Sequence, residues 1–103
     1  MSATETTNTL VHVVATLKTK EGSEAALKHA FSKLVPASQA EAGCVQYVLH
    51  TDVADATTFV LYEVWASKAD FDAHFELPHS VEFGAAAKEL LAEPPAIRFL
   101  NRI

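Results

Sequence analysis

The sequence predicts an α+β domain of the ferredoxin-like type, ordered βαββαβ, with a four-stranded antiparallel sheet and its helices on one face. Three observations predict it: four short β-branched runs, amphipathic stretches between them that are punctuated by proline, and one turn that joins the second and third runs as a hairpin. Residues 1–9 are polar and Thr-rich and read as a flexible N-terminal tail, with the domain spanning residues 10–103.

From Leu10 to Lys18 the chain is apolar in both alternating phases, which predicts a strand covered on both faces. Gly22 then breaks the chain, and Ser23 is placed to cap a helix that carries Glu24 in its first turn. Leu27, Ala30, Phe31, Leu34 and Ala37 share one face of that helix. Pro36 is expected to kink it or end its regular part early, and Gly43 marks the stop. Cys44 to Thr51 is the second strand, with Val45, Tyr47 and Leu49 on one face and Cys44, Gln46, Val48 and His50 on the other. After a turn at residues 52–56, Thr57 to Ala66 is the third strand. Phe59, Leu61, Glu63 and Trp65 face one way, and Val60, Tyr62 and Val64 the other. Ser67-Lys-Ala-Asp70 is close to a capping box and opens a short helix with Phe71, His74 and Phe75, which Pro78 interrupts. A further helical stretch at about 80–92 turns Phe83, Ala87 and Leu90 or Leu91 inward, Pro94-Pro95 ends it, and Ala96 to Ile103 supplies the last strand.

Helices can cover only one face of such a sheet, yet the double apolar phase of the first and third strands makes the other face hydrophobic too. An open apolar face of that size exceeds what a soluble monomer usually shows. The expected assembly is therefore a homodimer joined through the sheet face, a dimeric α/β barrel.

At 103 residues and 11.1 kDa there is room for one domain. With 8 Lys+Arg against 13 Asp+Glu the formal charge is -5, which disfavours nucleic acid and anionic membranes as partners. No run approaches the roughly 20 apolar residues of a membrane span, and residues 1–9 do not resemble a secretory signal, so the expected location is cytoplasmic. Cys44 is the single cysteine and cannot form an internal disulfide.

Zinc-type cysteine pairs, HExxH, Gly-rich phosphate loops and the GxSxG elbow are all absent. What stands out is a concentration of polar aromatic and titratable residues: Tyr47, Glu63, Trp65, His74, Glu76 and His79. Glu63 and Trp65, two apart on one strand, project to the same face, and a helix starting just after Trp65 folds His74 back over them. Each also has a purely structural reading. Trp65 suits core packing, and Tyr47 packs its ring and directs its hydroxyl to a partner. His74 suits a hydrogen-bonded boundary histidine, and Glu63 is as readily a structural pair as a site carboxylate. His12 reads as a satisfied core or interface residue. His74 and His79 are five apart with Pro78 between them, a poor match to helical metal ligands, so no metal is expected.

These residues resemble the antibiotic biosynthesis monooxygenase family, which includes the small quinol monooxygenases. The matching pieces are Glu41-Ala-Gly43-Cys44 followed by Tyr47, then Glu63-Val-Trp65, Ala73-His74-Phe75 and Pro78-His79, and the likeness covers residues 10–103. The resemblance implies a dimeric α/β barrel with an apolar pocket in each subunit. It also implies oxygenation of an electron-rich phenol, anthrone or hydroquinone by molecular oxygen with no cofactor, neither metal nor flavin. On that basis His74 is the general base or phenolate partner. Trp65 stacks on the planar substrate with Phe75 beside it, Tyr47 and His79 hydrogen-bond its oxygens, and Glu63 orients the histidine or a lid backbone rather than acting directly. Ala15 stands where the haem-degrading branch has an asparagine, and Leu61 where the anthrone-oxidising branch has one, so the exact substrate stays open. The alternative is a non-oxygenating member of the same fold, either an isomerase-like enzyme on a reactive carbonyl compound or a ligand-binding dimer.

Overall fold

The computed structural model describes residues 10–103, so the expected tail lies outside the described residues. The elements follow as β1 (Val11–Lys18), α1 (Glu24–Gln39), β2 (Cys44–Thr51), β3 (Thr58–Trp65), α2 (Lys68–His74), α3 (Pro78–Leu90) and β4 (Ala96–Leu100). The four strands form one antiparallel sheet in the order β2-β3-β1-β4. This is the predicted ferredoxin-like architecture, with three helices where the sequence pattern implied an interrupted second one.

Strand alternation builds the core. Val13, Ala15 and Leu17 of β1 and Phe59, Leu61 and Trp65 of β3 are buried together with Leu27, Phe31 and Leu34 of α1, Phe71 of α2 and Ala87 of α3. The opposite face carries Val14, Thr16, Val60 and Tyr62, which are half-buried, and no helix of the core packs on it. There His12 Nδ1 and the Tyr62 hydroxyl lie 3.0 Å apart.

Five local expectations change. Ser23 stands at the N-cap of α1 but makes no side-chain capping bond. Pro36 lies inside α1, which nevertheless runs on to Gln39, because one missing amide near a helix end costs only a single ladder bond. The fully buried residue of the last turn is Ser38, while Ala37 is half-buried. Pro78 does not merely interrupt a helix but starts one, occupying the first turn where an amide has no partner to lose.

The fifth change concerns β2. The ladder pairs Cys44 with Trp65 and then Gln46 with Val64, so Val45 is an extra residue in a bulge and stands 59% exposed. The bulge flips the phase, so Cys44, predicted to face away from Tyr47, packs with it against the core.

One end of the helical layer is tied to the sheet. Lys20 N donates to Leu90 O at 2.9 Å, Ala92 N to Lys18 O at 2.8 Å, and the Thr19 hydroxyl to Leu90 O at 3.0 Å. These bonds fix the C-terminal end of α3 against the end of β1.

Candidate active site

Strand β3 delivers a carboxylate into an apolar layer and provides a partner for it. Glu63 Oε1 accepts a hydrogen bond of 2.9 Å from Trp65 Nε1, and both residues are buried. Burial still pushes the Glu63 carboxyl up to about 7, with the indole bond opposing the rise and the negative charge of Glu41 adding to it. Tyr47 pairs with Glu63 across the β2–β3 ladder. Its phenol is held well above the usual range by burial, and next by the Glu63 charge.

The turn after β3 sets the position of α2. Ser67 Oγ accepts from Asp70 N at 3.1 Å, the capping contact the sequence predicted. Gly43 packs against this cap so closely that a Cβ built on it would lie 2.3 Å from Asp70 Cγ, and Gly43 O accepts from Ala66 N at 2.8 Å. Glycine is required there for close approach. The contact holds the 41–43 loop against the start of α2.

That docking brings Glu41 under the end of α2. Glu41 Oε2 accepts from His74 Nδ1 at 2.7 Å and from His79 Nε2, at the start of α3, at 2.6 Å. A carboxylate only accepts, so Nδ1 of His74 carries its proton, and in the neutral ring the Nε2 lone pair has the Ser80 hydroxyl beside it at 3.4 Å. The imidazole is packed among rings, with Trp65 at 4.8 Å, Phe75 at 5.1 Å and Tyr47 at 5.6 Å between centroids.

A cavity of about 670 Å³ lies between sheet and helices. Val13, Ala15, Leu17 and Leu61 line it from the sheet, and Leu34, Phe71, Phe83 and Ala87 from the helices. Tyr47, Glu63, His74 and Ser80 are its polar members, and Lys88 and Glu93 the charged residues at exposed positions. Such a space suits a small apolar ligand oriented by a few polar groups.

Of the residues singled out from sequence, His74, Glu63, Tyr47 and Phe75 line the cavity, and Trp65 and His79 do not. Trp65 is 0% exposed and stands behind His74, so the expected stacking on a substrate is replaced by packing on the imidazole and a bond to Glu63. His79 sits on the far side of Glu41 and borders a smaller pocket with His29 and Glu82. The carboxylate hydrogen-bonded to His74 is that of Glu41, while Glu63 is bonded to Trp65. Glu41 and Ser80 were missed as site residues. Glu41 lies in a loop without periodicity, and its one signal was its place in the Glu41-Ala-Gly43-Cys44 match. Burial, then the charges of Glu41 and Glu63, push the Cys44 thiol up to about 11, which disfavours the thiolate.

The spacing argument against a metal also loses its ground. His74 and His79 belong to different helices separated by Pro78, and they converge with Glu41 so that the three ligand atoms lie within 4.8 Å of one another.

Known proteins agree with this architecture. A protein of Synechocystis described as uncharacterized, sll1783, is 36% identical over 61 residues, 59% of this chain and 42% of that protein, so the chain spans less than half of its length. The Escherichia coli protein named "Probable quinol monooxygenase YgiN" is 30% identical over 89 residues, covering 77% of this chain and 86% of its own. The crystal structure of PA3566 from Pseudomonas aeruginosa superposes with a TM-score of 0.87 at 34% identity, over 92% of this chain and 95% of that one. The profile of one family, described as "Antibiotic biosynthesis monooxygenase", matches residues 10–86, the span from β1 through most of α3 that carries Glu41, Tyr47, Glu63, His74, His79 and Ser80. By that match the chain belongs to the antibiotic biosynthesis monooxygenase family.

Proposed function

We propose that the protein is a cofactor-independent monooxygenase that oxidises a small electron-rich aromatic, a hydroquinone, anthrone or related phenol, with O2. The observation that carries this reading is His74, set on an apolar cavity with Nδ1 held by the Glu41 carboxylate and Nε2 met only by the Ser80 hydroxyl at 3.4 Å, a long contact that a substrate hydroxyl can replace. A planar phenol in the cavity donates its hydroxyl proton to His74 Nε2, and Glu41 keeps the ring in the tautomer that can accept it. Glu63, held near 7 on the cavity wall, is suited to relay a second proton at neutral pH.

The resulting phenolate is electron-rich enough to pass one electron to O2, and the radical pair then recombines at carbon. Collapse of the peroxide leaves one oxygen atom on the ring carbon and releases the other as water. The C–H bond at that carbon breaks with the O–O bond, and all four electrons that reduce O2 come from the substrate, so no external reductant is consumed. The apolar walls exclude water and shelter the radical pair. Lys88 is the one basic residue, apart from His74, on the cavity wall, which favours an uncharged aromatic over the phosphorylated substrate an isomerase would take.

We further infer a cytoplasmic homodimer joined through the sheet face that carries Val14, Val60 and Tyr62. No described helix is long and apolar enough to cross a membrane. Light scattering should give twice the chain mass, and Val14→Asp should halve it; a wild-type monomer would refute the dimer. For the chemistry, chelator-treated protein should consume O2 with at least one member of a panel of hydroquinones and anthrones. His74→Ala should lower turnover by about 100-fold or more. Unchanged turnover in that variant would remove the base assigned here.

A further inference from the structure

We propose that Glu41, His74 and His79 form a binding site for a zinc-class divalent ion, beside the substrate cavity and sharing His74 with it, and that filling it switches His74 off. The inhibitory half rests on the reading of His74 as the base; the binding half does not. Two imidazole nitrogens from different helices aim at one carboxylate oxygen, at 2.7 and 2.6 Å. Two nitrogens and one carboxylate oxygen make a donor set suited to Zn²⁺, Co²⁺ or Fe²⁺ rather than to Ca²⁺ or Mg²⁺. A four-coordinate ion with bonds of about 2.0–2.1 Å needs its ligand atoms roughly 3.3 Å apart. The three atoms lie within 4.8 Å of one another, so shifts of about 1 Å or less would admit the ion in place of the shared protons.

The surroundings favour such an ion. The side chains of His74 and Glu41 are only 4% and 11% exposed, whereas that of His79 is 23% exposed and opens on the small pocket bordered by Glu82. The ion thus has an approach that does not pass through the substrate cavity, and room for a water as fourth ligand.

The consequence for His74 follows from its two nitrogens. With a metal on Nδ1, the remaining ring proton must sit on Nε2, the nitrogen left for the cavity. The imidazole then donates a hydrogen bond instead of accepting a proton. An occupied site would still bind an aromatic ligand but would not deprotonate it.

The test uses the whole chain after removal of metal. Zn²⁺ is titrated by calorimetry, and Co²⁺ by its visible ligand-field absorption. One equivalent per chain should bind with micromolar or tighter affinity. His79→Asn, which keeps an N–H for Glu41 but lacks the imidazole ligand, should weaken binding at least 10-fold, whereas His12→Ala and His50→Ala should not change it. Circular dichroism confirms that each variant is folded, and Glu41→Gln gives a second measure should one be unstable. Absence of stoichiometric binding, or binding that survives both His79→Asn and Glu41→Gln, overturns the site. In turnover, saturating Zn²⁺ should slow the wild type at least 10-fold and leave His79→Asn at its own metal-free rate. Binding at these residues without slowed turnover overturns the switch alone. Binding without turnover on any substrate supports the site and counts against the proposed function.

Discussion

Two carboxylates, one buried and one partly buried, stand near His74, and their surroundings put them to different uses. Glu63 belongs to a strand, has one neutral donor in Trp65 Nε1, and is pushed up to about 7 by burial. Glu41 belongs to a loop, and one of its oxygens receives two imidazole N–H groups. A carboxylate with a single neutral partner in an apolar layer takes up a proton easily near neutrality. A carboxylate between two histidines is a fixed acceptor that sets their orientation. The strand carboxyl is thereby fitted to exchange protons and the loop carboxylate to hold a geometry.

The largest effect should come from Glu41→Ala. Two imidazole N–H groups, one of them fully buried, lose their acceptor, which costs about 1–3 kcal/mol each in stability. Turnover should fall by about 100-fold because the tautomer and aim of His74 are no longer fixed. Urea denaturation and O2 uptake measure the two. A Glu41→Ala protein as stable and active as the wild type would erase the distinction between the carboxylates.

Next is Glu63→Gln, which acts through pH. The Glu63 carboxyl is raised from its ordinary 4.5 to about 7 in the folded chain. Between those values the folded state binds more protons than the unfolded one, so ionisation destabilises the fold as pH rises. The penalty is absent below about 4.5 and complete above about 7, where it reaches roughly 3 kcal/mol. Glu63→Gln stays neutral and still accepts from Trp65, so it should flatten the loss of stability between pH 5 and 8. A wild-type stability that rises over that window would contradict the assignment of Glu63 as the protonatable partner.

The contrast between the two carboxylates also explains what could be read in the chain beforehand. Glu63 was legible because strand periodicity puts it beside Trp65 in an apolar run, where a carboxylate is conspicuous. The βαββαβ order, the buried faces of β1 and β3, and the Ser67 cap were legible for the same reason: each is set by neighbours in sequence. Glu41 was not, since its function depends on Gly43 docking against Asp70 and on α3 starting at Pro78, contacts between segments about 30 residues apart. The bulge at Val45 was hidden too, because one extra residue leaves the alternation intact on either side of it and only inverts its phase. Trp65 was placed correctly on its strand but assigned to the wrong neighbour, as periodicity gives the face of a side chain and not what lies in front of it.

Trp65→Phe sharpens the comparison with a smaller change. The ring remains to pack on His74, but Glu63 loses the donor that opposes its rise, so its apparent pKa should move further above 7, by about one unit for a bond worth about 1.4 kcal/mol. Carboxyl infrared titration of the two proteins reads this directly, and an unmoved midpoint would mean that the indole does not hold the charge.

Smallest is Ser67→Ala. It removes the cap that accepts from Asp70 N and the hydroxyl that donates to Asp70 Oδ2 at 2.9 Å, at a cost of about 1 kcal/mol. Neither carboxylate is touched, and the backbone bond between Gly43 and Ala66 remains. The loss should therefore appear in thermal stability as a fall of a few degrees, while turnover stays within about twofold. If turnover instead fell as far as in Glu41→Ala, the aim of His74 would depend on the start of α2 as much as on the carboxylate at its end.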